Sequence, residues 1–251
     1  MTAEIGKVSE LWRYPVQSLQ GERLGALDFT TEGVIGDRGY CIVDDTGEGG
    51  TAARPQWKKL IGWRARYLAE PKAGADLPKV EIVFDDGTAM ISDDARLGDA
   101  ISERLGRRGR LAVTRAPDVR RPYVASPCHL LTSATLKALN AAYPSGRFVP
   151  QRFRPNVVLD CGDEVGFIET GWMQQSLSVG ALGMKVIDHC LRCALTTRPQ
   201  ADLPKDPGIL HTARQRNENR VGVYTEIANA GRLAIGDRAT LQVAFKYLPR
   251  S

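Results

Sequence analysis

Residues 177–197 read LSVGALGMKVIDHCLRCALTT. Two apolar runs come first, and Gly180 and Gly183 divide them. Short apolar runs bounded by glycine are more typical of strands than of helices. The stretch therefore predicts a pair of strands that ends in a polar segment with two cysteines.

Strand signals continue on both sides of this pair. Residues 80–91 contain two apolar runs around an Asp-Gly turn and predict a hairpin, because Asp-Gly supplies the positive φ angles of a tight turn. Residues 157–160 have the composition of a buried strand, whereas helical spacing follows Asp93 or Asp94 and again Thr132 or Ser133. Many short strands with few helices predict an α+β protein that is mainly β and barrel-like, rather than a doubly wound sheet.

The composition is that of an ordinary globular protein, with 251 residues, 43% of them apolar and 25% charged. The net charge of +5 suits an anionic ligand or an acidic partner, but the basic residues are scattered, so we expect no nucleic-acid partner. No secretory signal opens the sequence, and no apolar run is long enough for a membrane helix. Together with an odd number of cysteines, this predicts a cytoplasmic protein with free thiols and no membrane partner.

Cys190 and Cys193 have C-x-x-C spacing, which has three interpretations. A zinc site needs further ligands at suitable spacing, and a thioredoxin-type pair needs a βαβ context; neither is visible. Spacing alone therefore favours two small buried residues near a strand end. Cys193 nevertheless follows Arg192 directly, and a fixed positive charge pushes a thiol toward thiolate. Cys193 is the first candidate for chemistry.

Other polar segments could bind a ligand or serve only the fold. Arg154-Pro155-Asn156 precedes an apolar strand, and its side chains could hydrogen-bond a planar or anionic group. Arg38 lies between glycines and could reach a phosphate, although an Asp–Arg turn pair is commoner. The helix start at 132–134 offers hydroxyls and N–H groups to an anion, or is an ordinary cap. No P-loop, dinucleotide-binding or nucleophile-elbow motif occurs.

The order of these segments resembles that of the MOSC family, the fold of the C-terminal domain of molybdenum cofactor sulfurase and of the mitochondrial amidoxime-reducing component. The matching segments are LWRYPVQS (11–18), GDR (36–38), LTSATL (131–136), RFRPNVV (152–158), RCALTT (192–197) and VGVY (221–224). The resemblance implies an N-terminal MOSC-associated β-barrel-like domain over 1–115 and a MOSC domain over 116–249.

The resemblance also implies a cofactor and its ligands. In enzymes of this family the cysteine of the RC element binds molybdenum, which also carries the dithiolene of molybdopterin, so Cys193 inherits that role. The pterin and its phosphate are then expected to contact Ser18, Arg38, Thr132, Ser133, Ala134, Arg154, Asn156, Arg192 and Tyr224. Cys190 is expected to be a bystander near this site.

Two positions depart from the family pattern. Gln17 stands where the family usually has lysine, which removes one cation expected to face the cofactor. Residues 196–200 read TTRPQ where the family has TTVDP, which alters the expected substrate rim.

The leading hypothesis is a molybdenum cofactor-dependent oxidoreductase that reduces N-hydroxylated or N-oxide-type substrates. The chain has no flavin, haem or iron–sulfur motif, so electrons are expected from a separate protein, and the basic surface suits an acidic one. Two alternatives stay open: a sulfur carrier or transferase with a persulfide on Cys193, and a non-catalytic module that binds the molybdenum cofactor.

Overall fold

The computed structural model of the protein describes residues 2–121 and 126–242. Its strands are β1 (Thr2–Arg13), β2 (Glu22–Leu24), β3 (Ala26–Thr30), β4 (Gly33–Val34), β5 (Tyr40–Val43), β6 (Arg64–Tyr67), β7 (Val80–Val83), β8 (Ala89–Ile91), β9 (Arg110–Val113), β10 (Cys128–Thr132), β11 (Val157–Asp160), β12 (Ser176–Val179), β13 (Leu182–Leu191), β14 (Arg220–Ile227), β15 (Gly231–Ala234) and β16 (Arg238–Gln242). The helices are α1 (Leu97–Leu105), α2 (Ser133–Ala142), α3 (Pro150–Phe153) and α4 (Gly208–Asn217), and 3-10 segments lie at Pro55–Gly62, Ile168–Trp172 and Ala194–Thr197.

Seven of these strands form a closed barrel in the order β11-β10-β14-β13-β12-β16-β1. The barrel closes because β1 pairs with β16 on one side and with β11 on the other, both antiparallel. β10 and β11 are its parallel pair. The predicted mainly β, barrel-like fold is confirmed, and the strand pair predicted in 177–187 is β12 and β13, with Leu177 opposite Met184.

Alternate side chains of β13 point into the barrel core. Leu182, Met184 and Val186 point inward and are buried. The pairing of β13 with β14 then shifts twice, between Val186 and Asp188 and between His189 and Leu191. Such bulges re-aim side chains, so the end of β13 leaves the simple in–out pattern and presents residues to a cleft.

A second core lies beside the barrel. β5 pairs with β9, and β6, β7 and β8 form a small sheet that packs with α1 and the segment Pro55–Gly62. The predicted hairpin over 80–91 is confirmed as β7 and β8. Trp63 meets Phe84 edge-on with 4.8 Å between ring centres. Leu195, which follows the candidate Cys193, also packs into this core.

The chain therefore does not run through the two cores one after the other. β1 begins the sequence but belongs to the barrel, and β3 pairs with β15 near the other end of the described chain. The division at 115/116 stays a prediction, and its upper limit of 249 lies outside the described residues. Within the described ranges, no helix has the length and apolar character that crossing a bilayer requires.

Candidate functional site

A cleft of about 610 Å³ opens where the barrel meets the second core. Its walls include six residues proposed from the sequence, which are Arg38, Arg154, Asn156, Arg192, Cys193 and Tyr224. They also include residues that sequence reasoning did not select, among them Thr51, His129, Phe153, Ile187, Asp188, Leu191 and Leu195. Residues far apart in the chain thus converge on one site.

Cys193 offers the exposed thiol of this cleft. The other four cysteines are buried and all five are free. Cys193 has extended backbone and begins the 3-10 segment Ala194–Thr197. The N–H and hydroxyl of Thr196 donate to the Cys193 carbonyl at 3.2 and 3.0 Å. The backbone of Cys193 is therefore fixed, while the residue is exposed and lines the cleft.

Two guanidinium groups lie within cation–π distance of one aromatic ring beside the cleft. Arg154 stacks 4.1 Å and Arg38 5.0 Å from the ring centre of Tyr14, distances that permit cation–π attraction. Arg154 also donates to the carbonyl of Leu19 at 2.5 Å, and Arg38 pairs with Asp37. The buried ring of Tyr14 thereby holds both arginines in place.

The backbone of these arginines is unusual. Arg38 and Arg154 have φ angles of 52° and 55°, and the proposed cofactor residue Ser18 has 67°. A residue with a side chain adopts this left-handed region at a cost that the surrounding structure must offset, and such residues cluster at functional sites. Three of the sequence-proposed residues share this signature.

Arg192 lines the cleft and is anchored to groups beside it. Its Nη1 lies 2.5 Å from the sulfur of Cys190, and its Nη2 donates to the carbonyl of Phe153 at 2.8 Å. Its Nε is buried, and no acceptor for it occurs within residues 2–121 and 126–242. With Arg38 and Arg154, Arg192 gives the cleft three guanidinium groups, a residue type that suits an anionic ligand.

Asn156 braces the cleft. Its side-chain oxygen accepts from the N–H of His129 at 3.1 Å, and its amide nitrogen donates to the carbonyl of Trp12 at 3.2 Å. The residue is 1% exposed and ties β10 to β1. The structure assigns it a supporting role, and a direct contact to the cofactor stays a prediction.

Adjacent strands bring together a polar cluster that sequence reasoning did not assemble. His129 on β10 lies opposite Tyr224 on β14, with 5.7 Å between ring centres. Gly222 must lack a side chain, because a Cβ there would stand 2.3 Å from His129 Nε2. Burial would raise the pKa of the Cys190 thiol, but Arg192 and His129, with hydrogen bonds from His129 and Tyr224, lower it to about 6.

The helix start at 132–134 does not line this cleft. The Thr132 hydroxyl donates to Glu169 at 2.7 Å and accepts from the N–H of Thr135, which caps α2. The Ser133 hydroxyl accepts from the N–H of Cys161 at 2.9 Å, and the Ala134 carbonyl accepts from Gly166. Both hydroxyls are occupied within the fold and none of the three residues lines the cleft, so the position of Thr132, Ser133 and Ala134 favours the ordinary cap over the expected cofactor contact.

Ser18 and Gln17 lie behind the cleft wall. Ser18 is 2% exposed, and its hydroxyl accepts from the N–H of Ala52, next to the cleft residue Thr51. Gln17 lines a neighbouring cavity of about 650 Å³ that shares Arg38 with the cleft. Ser18 thus supports the wall, and Gln17 lines the neighbouring cavity rather than the cleft.

The donor set limits what metal the cleft can hold. Among the described residues, no group of three or more histidine, cysteine, aspartate or glutamate side chains could hold a metal ion. A metal at Cys193 would therefore bring most of its ligands with it. A metal that carries its own organic ligand and needs one thiolate fits this arrangement.

Comparisons with known proteins agree with the fold. The family model for the MOSC domain matches residues 86–240, and that for the MOSC N-terminal beta barrel domain matches residues 5–60. No curated protein sequence matches the chain. The structure is similar to that of the YuaD protein from Bacillus subtilis, with a TM-score of 0.52 and 11% identity over 98% of each chain.

A weaker likeness extends to YiiM from Geobacillus stearothermophilus, with a TM-score of 0.34 and 13% identity over 47% of this chain and 55% of that one. Because the MOSC model covers more than half of the sequence and the N-terminal model precedes it, the assignment rests on the family models and not on that likeness. The chain belongs to the MOSC domain family, which is linked to binding of the molybdenum cofactor.

Proposed function

We propose that the protein is a molybdenum cofactor-dependent oxidoreductase in which Cys193 is the protein ligand of molybdenum. The observation that carries the proposal is one exposed thiol in a cleft onto which three arginines converge. A thiolate suits a soft metal, and guanidinium groups suit a phosphate.

The residues present fit molybdopterin in charge and hydrogen bonding. Arg192 has a buried Nε that lacks an acceptor within the described chain, and a ligand in the cleft could supply one. Arg38 and Arg154 would hold the phosphate, and Tyr224 would face the pterin. When bound, the cofactor supplies two-electron chemistry in which an oxygen atom is removed from the substrate.

The chain's own residues position the substrate. Ile187, Leu191 and Leu195 make part of the cleft apolar, and Leu191 is 65% exposed. Asp188 adds an exposed carboxylate beside them. This combination supports N-hydroxylated or N-oxide-type substrates with an apolar body. Protons would come from solvent or from a nearby group, and electrons from a separate protein, for which the net charge of +5 favours an acidic surface.

An alternative function is sulfur transfer, in which Cys193 carries a persulfide. The exposure of the Cys193 thiol favours this second candidate, because a carried sulfur must reach an acceptor. Either function suits a reducing, cytoplasmic setting, since none of the five cysteines is in a disulfide.

Metal analysis tests the proposal. Protein purified from a host that makes the cofactor is expected to contain near-stoichiometric molybdenum and to reduce an amidoxime with an artificial electron donor. Cys193→Ser should lose both, whereas Cys128→Ser, a buried control, should keep both. Cofactor retained in Cys193→Ser without reductase activity in the wild type would favour a binding module. Cyanide-labile sulfur on Cys193 without molybdenum would favour the sulfur carrier, and unchanged metal and activity in Cys193→Ser would contradict the assignment.

A further inference from the structure

Cys190 does not have the surroundings of a bystander. It lies near the end of β13, is 0% exposed, and has its sulfur 2.5 Å from Arg192 Nη1. A buried thiol in an apolar core stays neutral, as at Cys128 on β10, where burial raises the pKa to about 12. Cys190 is equally buried but is surrounded by hydrogen-bond donors and positive charge.

These groups come from three separate parts of the fold. Arg192 approaches from the segment after β13, His129 from β10 and Tyr224 from β14. Because all three stabilise a negative sulfur, burial does not prevent its ionisation. A thiolate beside a guanidinium is a charge pair removed from water, which is held in place strongly when its geometry is satisfied.

The contact between Cys190 and Arg192 helps to fix the orientation of the Arg192 guanidinium. Two of its nitrogens are occupied, by the Cys190 sulfur and by the carbonyl of Phe153, while its Nε has no acceptor among the described residues. A planar guanidinium anchored at two points holds its remaining N–H groups, the Nε–H among them, in fixed directions. Arg192 without Cys190 would be a buried cation that lacks its counter-charge.

We propose that Cys190 is a positioning residue whose thiolate holds the Arg192 guanidinium in the orientation that receives an anionic ligand in the cleft. This inference rests on the proposed function, because the ligand is taken to be the molybdenum cofactor. Cys193 and Cys190 thus have different tasks in one C-x-x-C segment: one binds the metal, and the other aligns the arginine between them.

The first test needs no cofactor. In a Cys193→Ser background the three remaining thiols other than Cys190 are buried, and burial raises the pKa of each. Ultraviolet absorbance should therefore report a single thiolate that appears with a midpoint near pH 6. Cys190→Ser should abolish this signal, and Arg192→Gln should move the midpoint upward by at least a pH unit. A Cys193→Ser protein with no thiolate signal below pH 8 overturns the inference.

The second test measures positioning. Cys190→Ser and Cys190→Ala, made in the protein with Cys193 intact, should retain about tenfold less molybdenum after gel filtration, since residues that orient a metal site typically contribute 10–100-fold. Cys190→Asp, which restores a negative charge, should recover most of the retention. Cys128→Ser is the packing control and should behave as wild type.

The outcomes separate this inference from the proposed function. Wild-type protein without molybdenum contradicts the proposed function, while the thiolate titration still decides whether Cys190 pairs with Arg192. Molybdenum retention in Cys190→Ser equal to wild type contradicts the positioning role even if Cys193→Ser loses the metal. If Cys190→Ser fails to fold, two measurements still decide whether Cys190 positions Arg192. They are the molybdenum retention of Cys190→Asp and the thiolate titration of Arg192→Gln.

Discussion

At the scale of residues, the site depends on a few side chains whose partners are distant in sequence. Tyr14 lies within cation–π distance of Arg38 and Arg154, which lie 24 and 140 residues further along the chain. The sequence identified both arginines as candidates from their local motifs. It could not show that they share one aromatic ring, because that contact exists only once β1 has closed the barrel.

Replacing Tyr14 tests this arrangement. Tyr14→Phe keeps the ring face and loses one hydrogen bond to the carbonyl of Pro155, so we expect a loss of about 1 kcal/mol in the free energy of unfolding. Tyr14→Leu removes the aromatic ring that both arginines contact, and should lose about 3 kcal/mol of unfolding free energy together with most bound molybdenum. Urea unfolding and metal analysis check both. Equal molybdenum content in the two variants would contradict the role of the ring.

The charge on Cys190 has a consequence for stability. Its pKa of about 6 lies below the ordinary value of 9.0, so the folded state releases the proton more easily than the unfolded state. This stabilisation is therefore fully present above pH 9 and is lost as the pH falls through 6. Between these limits, the difference in unfolding free energy between wild type and Cys190→Ser should grow by about 1.4 kcal/mol for each unit that the pH rises. A difference independent of pH, measured by urea unfolding, would show a neutral thiol.

At the scale of elements, local patterns predicted the hairpins but not the bulges at the end of β13 that shape the cleft. Glycines and an Asp-Gly turn marked β12–β13 and β7–β8, because a tight turn needs particular residues. The bulges in β13 leave no such mark, since they arise from pairing with β14. The segment after β13 is held from two sides, by Leu195 in the second core and by Arg152, whose guanidinium donates to the carbonyl of Thr196 at 3.1 Å.

A substitution at the start of α2 tests whether Thr132 caps the helix or contacts the cofactor. Thr132 caps the helix and donates to the buried carboxylate of Glu169, for which burial raises the pKa. Thr132→Ala should lose about 1–3 kcal/mol of unfolding free energy, because a cap and a donor to a buried group are both removed. Molybdenum per folded chain should stay at the wild-type level. Loss of metal without loss of stability would instead support the cofactor contact that the family resemblance implies.

At the scale of the whole molecule, the cleft exists only where two interleaved cores meet. Loops next to the second core contribute Arg38 and Thr51, and the segment that follows barrel strand β13 contributes Cys193. The barrel in turn needs β1 from the start of the chain, whose Thr2 lies opposite Gln242. The sequence alone predicts two consecutive domains more readily than a barrel that takes β1 from the start of the chain, because strand order is set by long-range pairing.

A fragment of residues 116–251 tests that dependence. It contains six of the seven barrel strands but leaves the edges of β11 and β16 unpaired, so it should show no cooperative unfolding in urea. Fusing residues 1–13 after residue 251 should restore a cooperative transition, because β1 can then return antiparallel along β16 over a short connection. A scrambled segment of the same composition should not restore it. Cooperative unfolding of the fragment alone would mean that the barrel is stable without β1, and that 116–249 is an independent folding unit.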